Sequence, residues 1–82
     1  MIVNIGYGNS VLREHVIGLL KNEGAAVRRY RSTLKDSCKL IDATYGHKAR
    51  SIIIMASDHI ILSAIASETL AERFNKTENN QE

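Results

Sequence analysis

Three features of the sequence predict an α+β fold built on a small antiparallel β-sheet. From Leu40 onward the chain runs through LIDATY, RSIIIMA and HIILSAI, β-branched and apolar segments separated by turn residues at Gly46 to Ala49 and at Ser57-Asp58. Ahead of them, AAVRRYRSTLKDSC places apolar residues at helical spacing. The strand centres Ile52, Ile53, Ile54, Met55 and Ile60, Ile61, Leu62 are apolar on consecutive positions, so both of their faces need cover.

Element by element, Ile2, Val3 and Ile5 before Gly6 and Gly8 predict a strand near 2–6 that ends in a loop. The GYG of that loop lacks the third glycine of a dinucleotide fingerprint, so nucleotide binding is not expected. SVLREHVIGLLKNEG reads two ways. Leu12, Val16, Leu19 and Leu20 recur at helical spacing, with Gly24 as a stop, which favours a helix locally. As a strand, the same stretch would set Arg13 and His15 side by side on one face.

A helix is expected near 25–38, with Val27, Tyr30, Leu34 and Cys38 as its apolar stripe and Arg28, Arg31 and Lys35 on another side. Strands follow near 40–45, 50–56 and 59–65, read as a three-stranded meander. SETLAERF gives a helix near 67–75, capped by Ser67, favoured by Glu68 in its positive first turn, and packed through Leu70 and Phe74. Residues 1–75 then form one domain, and the polar segment 76–82 is expected to be disordered.

A chain of 82 residues buries only roughly 60–65% of its unfolded surface, so its core is thin. Two short helices and a short first strand look too little to cover both sheet faces. The second face would then be an interface, and a homo-oligomer is expected. No apolar run reaches the ~20 residues of a membrane helix, and no signal peptide opens the chain, so a cytoplasmic protein without membrane contact is expected. Cys38 is the only cysteine, which excludes an internal disulfide and a multi-thiolate zinc site; it is read as a small buried residue.

Charge is unevenly placed. Residues 13–50 carry nine Lys/Arg against four acids, residues 51–82 carry two against five, and residues 1–12 carry none. A basic face is therefore compatible with a formal charge of only +2. Within it, His47, Lys48 and Arg50 crowd the glycine turn of DATYGHKARS, where a turn histidine beside a lysine can hold phosphate when protonated. Arg28, Arg29 and Arg31 supply a second basic cluster.

Enzyme chemistry finds little support. Ser57, Asp58 and His59 are neighbours in a turn, where consecutive side chains should diverge and Asp58 should close the turn. His15, His47, His59 and Cys38 lack familiar metal-ligand spacing, so no catalytic residue, metal, cofactor or small-molecule substrate is expected.

Taken in order, NIGYGN, LIDATYG, SDHIILSA and SETLAERF resemble the RemA family of small bacterial regulators, the extracellular matrix regulatory proteins. The resemblance spans nearly the whole domain. It implies a DNA-binding transcriptional regulator of biofilm matrix genes, associated with the nucleoid, that assembles as a closed octamer-like ring with DNA along its rim. It also implies a strand-like stretch near 11–20. Family members carry two adjacent arginines after the YG of the turn, where this chain has His47 and Lys48, while Arg50 matches a further family arginine. A third family arginine falls at His15, two residues after Arg13.

The resulting candidate set for contacting duplex DNA is Arg13, His15, His47, Lys48 and Arg50, with Arg28, Arg29 and Arg31 as additional phosphate contacts. Such contacts position DNA without reading bases. The alternative is a divergent structural or interaction protein that keeps the ring and does not bind DNA.

Overall fold

The computed structural model describes residues 1–76, so all but the first residue of the expected polar tail lies outside the described residues. Strands β1 (Ile2–Gly6) and β2 (Asn9–Leu12) form an antiparallel hairpin. A four-stranded sheet contains β3 (Val16–Lys21), β4 (Leu40–Asp42), β5 (Ser51–Met55) and β6 (Ile60–Ser63), in the order β3-β5-β6-β4. Helices α1 (Ala25–Thr33) and α2 (Ser67–Asn75) complete the α+β architecture.

The β5–β6 hairpin is the centre of the sheet, and its register explains why its residues are apolar at every position. Ile52 pairs with Leu62, Ile53 with Ile61 and Ile54 with Ile60. Because side chains alternate across a strand, Ile52, Ile54, Ile60 and Leu62 form one face, and Ile53 and Ile61 the other. Leu20 of β3 and Leu40 of β4 extend the first face, and Val27, Leu34 and Ala49 close over it. Val3, Ile5 and Val11 of the β1–β2 hairpin, together with Leu70 of α2, close over the second.

The expectation of an uncovered second face is therefore corrected. Ile52, Ile53 and Ile60 are at most 1% exposed within a single chain. Residues 1–12 fold as a hairpin layer rather than as one short strand, and that layer supplies the second cover. Each such side chain contributes about 1.5–3 kcal/mol on burial. Apolar side chains stay exposed at the edges, among them Ile41 of β4 at 44%, Leu12 of β2 at 46% and Ile17 of β3 at 67%.

Several boundaries also change. The stretch 11–20 is neither one helix nor one strand: β2 ends at Leu12, a 3₁₀ turn occupies Arg13–His15, and β3 begins at Val16 in the other sheet. Its apolar residues serve two layers, with Val11 packing inward from the hairpin and Leu19 and Leu20 lying on opposite faces of β3. Helix α1 stops at Thr33, with Leu34 closing its last turn by donating to Arg31 O. Cys38 lies beyond the helix and is exposed, not buried. At α2 the N-cap is Ala66, and Ser67 is the first helical residue with no side-chain capping bond.

The meander is corrected as well. Strand β4 covers only Leu40–Asp42 and runs parallel to β6, pairing Leu40 with Ile60, Ile41 with Ile61 and Asp42 with Leu62. The sheet is thus mixed. Residues 43–50 do not turn back beside β4; they cross the end of β6 to reach β5. Two buried serines secure that end, Ser51 Oγ donating to Ile65 O at 2.9 Å and Ser63 Oγ to Ile5 O at 2.8 Å.

Replacing Ile53 by Ala should lower unfolding stability by about 2–5 kcal/mol, because the side chain touches both β6 and the hairpin layer and the void cannot collapse easily. Urea unfolding followed by circular dichroism measures this. The same substitution at half-exposed Ile41 should cost far less.

Candidate functional site

The loop 43–50 is pinned at its two ends and projects in the middle. Ala43 N–H donates to Leu62 O at 3.0 Å, and Arg50 N–H donates to Ser63 O at 2.8 Å, so both ends are bound to β6. Asp42 begins the turn: its Oδ1 accepts from Thr44 N–H at 2.9 Å and from Thr44 Oγ1 at 2.6 Å. His47 N–H then donates to Thr44 O at 3.0 Å, closing a turn whose central residues Tyr45 and Gly46 have φ of 57° and 85°. Two consecutive positive φ values are those of a type I′ turn. Gly46 takes this conformation without penalty, whereas Tyr45 bears roughly 1–2 kcal/mol of strain.

Ala43 and Thr44 are buried, but Tyr45, Gly46, His47, Lys48 and Arg50 are exposed. Among the described residues no carboxylate lies within ion-pair distance of Lys48 or Arg50. The loop therefore presents cations that the described protein leaves uncompensated.

Helix α1 is coupled to this loop through a single asparagine. Arg31 Nη1 donates to Asn22 Oδ1 at 3.1 Å, and Asn22 Nδ2 donates to Ala49 O at 2.8 Å. The Asn22 backbone N–H also donates to Arg50 O at 3.2 Å. Arg28 and Arg31 line an adjoining depression with Asn22, Glu23 and Gly24, and a second one with Ser32, Lys35 and Leu40. Arg29 is exposed nearby, beside Ala25, Arg28 and Ser32. Lys21, at the same end of the sheet, is paired with Glu23 at 3.0 Å. This pairing network was invisible in the sequence, although Asn22 stands one residue after the last β3 position.

Arg13 and His15 are not brought to this end. Val16 pairs with Met55 while Lys21 pairs with Ser51, so His15 lies at the opposite end of β5 from Arg50. With five residues in β5, the separation is roughly 16 Å along the strand. Arg13 instead donates through Nη1 to Phe74 O at 3.1 Å and to Lys76 O, capping the C-terminal end of α2. His15 lines a groove of about 420 Å³ with Leu12, Ile41, Met55, His59 and Ile61.

The turn 57–59 behaves differently from expectation in one respect. Asp58 does close it through the backbone, at φ 73° with its N–H donating to Met55 O at 2.9 Å. Ser57 and His59, however, converge: Ser57 Oγ lies 2.7 Å from His59 Nδ1. No carboxylate contact orients His59 among the described residues. No grouping of metal-ligating residues occurs there either, nor a helix long and apolar enough to cross a membrane.

The chain is a small α+β protein whose crossover loop displays cations that no described carboxylate offsets. Residues 2–74 match the model of the RemA-like family, described as extracellular matrix regulatory protein A-like. The chain is 48% identical over 80 residues to a protein of Carboxydothermus hydrogenoformans, covering 98% of this chain and 92% of that one. It is 52% identical over 73 residues to one of Thermotoga petrophila, covering 89% and 79%. Both relatives bear the name "Putative regulatory protein". The chain belongs to the RemA-like family.

The Thr44 hydroxyl, then the Thr44 N–H, and more weakly the Arg31 charge hold the Asp42 carboxyl below its usual range. A depressed carboxylate stabilises the folded turn above its unfolded pKa, about 3.9, and loses that contribution as pH falls through the lower folded value. Protection of the Thr44 amide, measured as its exchange rate relative to the unstructured rate at the same pH, should accordingly fall below about pH 4. In Asp42→Ala that protection should be low at all pH values, with a loss of about 1 kcal/mol or less at this solvent-screened position.

Proposed function

We propose that this protein is a DNA-binding transcriptional regulator that holds the duplex backbone through His47, Lys48 and Arg50. Arg28, Arg29 and Arg31 extend the contact along α1. The observation that carries this reading is the crossover loop itself, an anchored turn that displays three basic side chains at one end of the sheet without a described acidic partner. Membership of the RemA-like family supports it, and the family's description makes matrix genes the expected targets.

Phosphate is the suitable ligand for such a loop. Arg50 offers a planar fork, Lys48 a point charge, and His47 a ring N–H donor. One subunit makes few contacts, so useful affinity needs repetition. Assembly into a ring would line up loops along a rim and make later contacts intramolecular. The apolar groove between β2 and β4, bounded by Leu12 and Ile41, supports assembly by leaving an uncovered seam on the single chain. The same seam favours the second reading, an assembling interaction protein without DNA. Arg13 and His15, at the other end of the sheet, enter the DNA contact only if a neighbouring subunit carries them to the loop.

Replacing both Lys48 and Arg50 by Ala should weaken binding to all duplexes alike and flatten the plot of log affinity against log salt by about one per contact removed. Anisotropy titrations at several salt concentrations measure both effects. Unaltered binding would remove the loop from the interface, and absence of binding by the unmodified protein would favour the second reading. Light scattering tests assembly separately: a monodisperse monomer would refute the ring.

A further inference from the structure

One cluster at the loop end is not accounted for by phosphate binding. The Tyr7 ring is stacked with the Tyr45 ring at a centroid separation of 5.6 Å and 14°, and with the His47 imidazole at 5.0 Å and 12°. The three rings join the two loops NIGYGN and DATYGH, which lie far apart in sequence. Both tyrosines stand in water, Tyr45 at 81% exposure and Tyr7 at 49%. Both also have left-handed backbone, at φ 54° and 57°, a conformation that favours glycine or asparagine.

Core packing does not explain this arrangement. A ring exposed to this extent contributes little burial, and the left-handed backbone opposes it. Strain concentrated at an exposed aromatic cluster points to a ligand that uses the rings. The neighbours indicate its chemistry: Lys48 and Arg50 follow His47 on the same loop, and Arg31 is tied to that loop through Asn22. Flat rings beside a cationic track match a nucleobase attached to a phosphate backbone. A uniform duplex hides its base faces, whereas an unpaired or easily unstacked step exposes them.

We infer that the Tyr7–Tyr45–His47 stack is a base-stacking platform, and that the preferred nucleic acid contains an unpaired or unstacked base held there while Lys48 and Arg50 hold the flanking phosphates. This rests on the nucleic-acid reading above and specifies its substrate. A platform of this kind is tolerant of base identity, because every base has a π-face.

Three probes of equal length test it: a fully paired duplex, the same duplex with one unpaired central thymine, and single-stranded oligothymidine. The unmodified protein should prefer the bulged duplex and the single strand over the paired duplex. With no tryptophan and three tyrosines in the chain, oligothymidine should quench its intrinsic fluorescence. Tyr45→Asn, which removes the ring while suiting the left-handed backbone, should weaken binding to the bulged and single-stranded probes roughly tenfold. Its affinity for the paired duplex and its melting temperature should not fall, and Tyr45→Phe should keep the preference.

Equal affinity for all three probes, unmoved by Tyr45→Asn, would overturn the platform while leaving phosphate binding intact. A change in assembled mass on Tyr45→Asn would overturn it too, making the stack a contact between subunits. Binding unchanged by replacing Lys48 and Arg50 with Ala, with the probe preference retained, would sink only the phosphate assignment. Failure to bind any probe would sink both.

Discussion

The constraint on which the rest of the structure depends is the two-faced β5–β6 hairpin. Ile52, Ile54, Ile60 and Leu62 need cover on one side, and Ile53 and Ile61 on the other. A small chain can satisfy both only by sending different segments to each face. Helix α1 goes one way, and the β1–β2 hairpin with α2 goes the other. Because β4 takes the outer edge beside β6, the chain must then pass over the end of the sheet to start β5. The basic loop is displayed by that topological requirement.

Availability of charge, rather than its count, sets the crossover loop apart from the other basic residues. Arg13 and Arg73 both have their guanidinium groups bound to backbone carbonyls, Arg13 at the end of α2 and Arg73 at Asn4 O, 2.8 Å away. Lys21 is neutralised by Glu23. Lys48 and Arg50 have no such described partner, and the network from Arg31 through Asn22 to Ala49 holds their loop against α1. A pinned loop loses less conformational entropy on binding than a free one would.

Positive-φ residues concentrate at the same end. Gly6, Tyr7, Gly8, Tyr45 and Gly46 all lie in the left-handed half of backbone space. Gly6 is required there twice over, since a side chain would also crowd Ile65 Cδ1 at 3.3 Å. The two YG loops thus meet as preformed turns, which orients their rings together. At the opposite end, Leu12, Ile41, His15 and His59 surround an apolar groove. The molecule therefore separates a cationic, aromatic end from an apolar seam.

The sequence by itself determined the α+β class, the β5–β6 hairpin, the approximate positions of both helices and the family, because these rest on local periodicity and on strings of residues read in order. Doubly apolar strands such as SIIIM announce their need for two covers in the sequence alone. The basic turn was legible for the same reason: His47, Lys48 and Arg50 are close in the chain and follow a glycine. Only the tertiary structure decided which layer met each need. Residues 11–20 were unreadable locally because their apolar positions answer to two sheets, and the parallel pairing of β4 with β6 joins residues that no short-range pattern links. The fate of Arg13 and the stacking of Tyr7 on Tyr45 and His47 likewise depend on distant partners, since a side chain's neighbours across space leave no trace in its neighbours along the chain.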